Sequence, residues 1–74
     1  MPGTIAAIGE PALLDGFRLA GVEVFTGSTD EEIRRAWTAL PKTTAIVILT
    51  PRSARTLAPD LADPRSPMTV VLPS

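Results

Sequence analysis

Thr44-Ala45-Ile46-Val47-Ile48-Leu49-Thr50-Pro51-Arg52-Ser53-Ala54 is the stretch that sets the fold. Its first six residues form a short, uninterrupted, β-branched apolar run, which reads as a strand buried on both faces. Thr50 then supplies a helix cap. Pro51 takes the first helical position, where its missing N–H is not needed. Ala54, Leu57, Ala58 and Leu61 follow at i, i+3, i+4 and i+7, one face of a helix. Pro59 interrupts that helix, because its ring displaces the carbonyl four residues back, so a kink or early stop is expected near Ala58.

The same strand-then-helix unit recurs upstream. Thr4-Ile5-Ala6-Ala7-Ile8 is an apolar strand ending at Gly9. Pro11 opens a helix carrying Leu13, Leu14, Phe17 and Ala20 at helical spacing, and Gly21 stops it. Val22-Glu23-Val24-Phe25 reads as a second strand, and Thr26-Gly27-Ser28 as a turn. Thr29 with Glu32 three residues later is a capping-box pattern, and Asp30 and Glu31 suit the positive end of a helix. Ile33, Ala36, Trp37 and Leu40 complete the apolar stripe of that helix, and Pro41 ends it. Downstream, Asp63-Pro64-Arg65-Ser66-Pro67 is a loop, Met68 to Leu72 is a fourth strand, and Pro73 closes it.

Strands alternating with helices imply right-handed crossovers and a parallel sheet. The expectation is one α/β domain over residues 1–74, with four parallel strands and three helices. Strand order 2-1-3-4 and a sequential order both satisfy the local pattern. The first is favoured, since a sheet this apolar needs helices on both faces, in a Rossmann-like, truncated flavodoxin-like arrangement.

Composition narrows the function classes. A chain of 74 residues buries only about 60% of its unfolded surface, so nearly every apolar side chain must contribute to a core. The chain has no Cys, no His and no Tyr, which excludes disulfides, thiolate metal sites and the usual neutral-pH base. A formal charge of −1 argues against nucleic acid, which calls for a basic face. No apolar run approaches the roughly 20 residues of a membrane span, and no signal-peptide pattern opens the chain. A soluble, cytoplasmic protein with no metal and no cofactor is expected.

In open α/β sheets, ligands sit beyond the carboxyl ends of the strands. That edge holds Gly9, Glu10, Gly27, Thr50 and Pro51. A phosphate cradle needs a Gly-rich loop entering a helix, whereas Ile8-Gly9-Glu10-Pro11 offers one glycine, an acid and a proline. A phosphoacceptor would need paired acids after the first strand and another after the third, which instead ends Leu49-Thr50. Nucleophilic catalysis would need a base beside a hydroxyl, and only a carboxylate or amine could serve. No catalytic residue is assigned. Glu10 reads as a solvated acid beside a helix start, with a ligand contact as its second reading. Trp37 reads as core before interface anchor. Arg34, Arg35, Arg52 and Arg55 read as solvated helix faces, with a docking surface as the second reading.

Ile5-Ala6-Ala7-Ile8-Gly9 followed by Gly16-Phe17-Arg18-Leu19-Ala20-Gly21-Val22 resembles the opening of the F subunit of the V-type and archaeal A-type rotary ATPases. Thr29-Asp30-Glu31-Glu32, Ala45 to Thr50 and Pro67 to Pro73 are similar to later segments of that family. The resemblance implies a non-catalytic central-stalk component of an ion-translocating machine, peripheral to the membrane. Its expected partners would be chiefly the coiled-coil D subunit of the stalk, with the catalytic head as a second candidate, and there would be no nucleic-acid partner and no membrane insertion. Gly16, Phe17, Arg18 and Gly21 are the candidate partner-binding residues. Gly9, Glu10 and Thr50 are the candidate residues at the switch-point edge. The family commonly continues past the fourth strand into a tail that can reach the head. The sequence stops at Pro73-Ser74, so no role of that tail carries over. Two alternatives stand beside the stalk reading: a free α/β module binding a small ligand or regulatory partner at the sheet edge, and, more weakly, an enzyme using Glu10 or Asp15 as acid or base.

Overall fold

The computed structural model describes residues 3–15 and 21–73. Eight elements follow in order: β1 (Thr4–Gly9), α1 (Pro11–Leu14), β2 (Glu23–Thr26), α2 (Asp30–Thr38), β3 (Thr44–Leu49), α3 (Pro51–Thr56), α4 (Ala58–Leu61) and β4 (Met68–Val71). The four strands form one parallel sheet in the order β2-β1-β3-β4. The favoured 2-1-3-4 arrangement is the observed one, and the sequential alternative is not.

Local chemistry accounts for the boundaries. Thr29 caps α2 by accepting the Glu32 N–H at 3.1 Å. The Glu32 carboxylate in turn accepts the backbone N–H groups of Ser28 and Thr29, at 2.8 and 3.3 Å. These bonds, that from Ser28 first, hold the Glu32 carboxyl below the usual glutamate range. Thr50 caps α3 by accepting the Ser53 N–H at 3.3 Å. The third helix does break: α3 ends at Thr56, and Pro59 lies in the first turn of α4, where a proline costs no hydrogen bond. Gly21, before β2, holds φ at +78°, a left-handed conformation that side-chain-bearing residues resist.

The register aligns Phe25, Ile8, Leu49 and Val71 across the sheet on one face, and Val24, Ala7, Ile48 and Val70 on the other. The main core lies on the first face. Ile8, Val47 and Leu49 pack there with Ile33, Ala36 and Leu57, and Phe25, Trp37, Leu40, Ala54 and Leu61 close around them. Trp37 therefore joins the core while staying half-buried.

Crossover direction decides which face each helix covers. The step from β1 to β2 runs one way across the sheet, and the steps from β2 to β3 and from β3 to β4 run the other. With right-handed crossovers, α1 falls on one face and α2, α3 and α4 on the opposite one. Helices thus occupy both faces, but unequally. Leu14 on α1 and Ala7 beneath it are fully buried. The α1 side of β3 and β4 carries no described helix, and Ile5, Met68 and Val70 are 42, 69 and 49% exposed. The expectation that these strands are covered on both faces is corrected there. Three crossovers supply one helical unit to one face and two to the other, whatever the strands' composition.

Candidate functional site

Glu10 follows β1 and Thr50 follows β3, so the sheet order brings the two loops together at the switch point between neighbouring strands. The approach is close. Thr50 N–H donates to the Ile8 carbonyl at 3.3 Å, and a Cβ on Gly9 would collide with the Thr50 side chain. Gly9 is therefore a glycine for want of room.

Thr50 and Ser53 are fully buried, and Glu10 is half-buried. Thr50 Oγ1 donates to Glu10 Oε1 at 2.6 Å, accepts from the Ser53 N–H, and lies 3.0 Å from Ser53 Oγ. A threonine hydroxyl has one proton, and here the carboxylate takes it. The Ser53 hydroxyl proton is then free to point at Thr50 Oγ1. Both buried hydroxyls therefore find partners within the group, as buried polar groups must. It works as a latch that ties the α1 start to the α3 start across β1 and β3. Thr50 does have a carboxylate beside its hydroxyl, but full burial keeps that oxygen from any substrate.

The structure thus unites Gly9, Glu10 and Thr50, all three candidate switch-point residues. It corrects the reading of Glu10 as a solvated acid: the residue sits at the α1 cap position yet makes no capping bond, because its carboxylate is turned to Thr50. Of the candidate partner-binding residues, Gly16, Phe17 and Arg18 lie outside the described residues. Gly21 is exposed in the turn before β2.

Two surfaces stand out that sequence reasoning missed or ranked second. One is the apolar strip of Ile5, Ile46, Ile48, Met68 and Val70, which share one side of β1, β3 and β4. Counting crossover directions would have found it. The other is a groove between α2 and α3. There Arg34, Arg52 and Arg55 come together, while Arg35 leaves the group to pair with Glu31 at 2.8 Å. The second reading of these arginines, a shared surface, is thus met by Arg34, Arg52 and Arg55 and not by Arg35.

Among the described residues no set of three acidic side chains could hold a metal ion. No described helix is long and apolar enough to cross a membrane.

No curated protein matches the sequence. The solved F subunit of the V-type ATP synthase from Archaeoglobus fulgidus superposes with a TM-score of 0.67 at 24% identity, over 99% of this chain and 100% of that one, and so shares its fold. The family profile of the ATP synthase (F/14-kDa) subunit matches residues 5–74. With nearly the whole described fold inside that match, the chain belongs to the ATP synthase F/14-kDa subunit family.

Proposed function

We propose that the chain is a non-catalytic central-stalk component of a rotary ATPase, which binds a coiled-coil stalk subunit and helps pass rotation between catalytic head and membrane rotor. Family membership supplies the assembly. The observation that carries the reading is the apolar α1 side of β3 and β4, which no described helix covers and where Met68 and Val70 are exposed, with Ile5 of β1 beside them. With strands about 4.8 Å apart, β3, β4 and the Ile5 end of β1 offer a strip comparable in width to one helix diameter of roughly 10 Å. A helix laid beside α1 would complete that layer, as a crossover helix does in a full doubly wound fold. A patch of this kind marks a protein contact. The resemblance to the rotary-ATPase family keeps Gly16, Phe17, Arg18 and Gly21 as candidate partner-binding residues.

The non-catalytic reading is supported by the absence of His and Cys from the sequence and by the burial of Thr50 beside its carboxylate. The place of action would be the cytoplasmic side, peripheral to the membrane. A small ligand at the sheet edge has less support, because the buried hydroxyls of Thr50 and Ser53 are already paired within the protein.

The test is co-elution with the cognate coiled-coil stalk subunit, together with the melting temperature of the mixture. Binding should raise the melting point by mass action. Met68→Glu should abolish co-elution while leaving the free chain folded, since Met68 is 69% exposed. If the wild-type proteins neither co-elute nor shift each other's melting, the stalk reading fails.

A further inference from the structure

The groove between α2 and α3 is lined by Asp30, Arg34, Arg52, Arg55, Thr56 and Pro59 and encloses about 460 Å³. Three guanidiniums meet one carboxylate there, a local charge of +2 on a chain whose formal charge is −1. The one acid is already engaged: Asp30 Oδ1 accepts the Thr56 hydroxyl at 2.9 Å and lies 3.7 Å from Arg52 Nη2. Among the described residues Arg34 and Arg55 have no ion-pair partner. Helix stability does not explain the cluster either. Arg52 stands in the first turn of α3, where the helix dipole disfavours positive charge.

We propose that this groove receives the paired carboxylates of an acidic helix from a neighbouring protein of the assembly. The proposal rests on the reading of the chain as part of an assembly, though not on which partner covers the apolar sheet face. Guanidinium forks suit carboxylates and phosphates alike, and geometry decides between them. Arg52 and Arg55 stand three residues apart on α3, one turn of helix. Glutamates three or four residues apart on a partner helix have Cβ atoms about 5–6 Å apart, a matching interval. A bound phosphate is usually gripped by converging backbone N–H groups. Here the donors are long side chains from two helices, and Asp30 sits among them. A compact dianion would meet that acid directly, whereas spaced carboxylates can straddle it. The groove lies on the α2–α3 side of the sheet and the apolar strip on the α1 side. The protein thereby presents two chemically different contacts on opposite faces, which suits a part held between others.

The test uses the full chain, labelled with nitrogen-15. It is titrated with a helical peptide bearing glutamates at i, i+3 and i+4, with the same peptide carrying glutamines, and with inorganic phosphate. The glutamate peptide should move the Nε–H signals of Arg34, Arg52 and Arg55, and its affinity should fall with salt as screening shortens. The double variant Arg34→Gln/Arg55→Gln should bind about tenfold more weakly, a loss of roughly 1.4 kcal/mol, with unchanged melting. Equal binding by the double variant, equal binding of the glutamine peptide, shifts confined to other residues, or displacement of the peptide by equimolar phosphate would each overturn the proposal. Loss of this binding with co-elution of the coiled-coil partner intact would remove the groove and leave the stalk reading standing.

Discussion

Replacing Thr50 with valine removes the latch between β1 and β3 while nearly keeping its volume. The structure sets the size of the effect. The variant loses a hydrogen bond to a carboxylate at 2.6 Å, a class worth about 1.5–3 kcal/mol. The lower end applies, because Glu10 is only half-buried and water can replace the lost donor. It also loses the cap on the Ser53 N–H, typically ~1 kcal/mol. These two amount to about 2.5 kcal/mol, and loss of the contact with the buried Ser53 hydroxyl adds to them, so for a domain of this size Tm falls by at least roughly 10 °C. Urea unfolding followed by circular dichroism is the assay, with a lower midpoint at unchanged slope as the expected result. Thr50→Ser keeps both bonds and should lose much less. A double-mutant cycle with Glu10→Gln isolates the contact across the switch point, where residues sharing a hydrogen bond should couple by at least about 0.5 kcal/mol. A Thr50→Val chain as stable as the wild type, or a cycle that closes to zero, would refute the latch.

Gly9→Ala should destabilise by about 1–3 kcal/mol in the same urea assay, because its Cβ meets the Thr50 side chain in a site that cannot relax freely. Thr29→Ala should cost about 1 kcal/mol, read from the urea midpoint, through loss of the α2 cap. Glu32 should titrate below the ordinary glutamate range by carboxyl-detected NMR. Its folded pKa is depressed, so its contribution is present above the unfolded pKa and lost as pH falls through the lowered folded value. A Glu32 midpoint at or above the ordinary range would contradict the capping box.

Secondary structure and sheet order were legible because their causes are local. Short continuous apolar runs bounded by Gly and Pro lack the spacing of an amphipathic helix and read as strands, and Thr29, Thr50, Pro11 and Pro51 mark helix starts within a few residues of themselves. The break at Pro59 is local too, since proline acts on its own turn. Parallel strands joined by right-handed crossovers then leave few orders to choose among. Only the tertiary structure decided the rest. Glu10 and Thr50 are forty residues apart, and their bond exists because β1 and β3 are neighbours in the sheet. Arg34 and Arg52 lie on separate helices that meet only when both pack on one face. Met68 and Val70 have the composition of core residues and are exposed, because burial depends on what lies above a strand. A strand's own residues state that it can be covered. Which side is covered is set by the directions of the crossovers, a property of the whole chain.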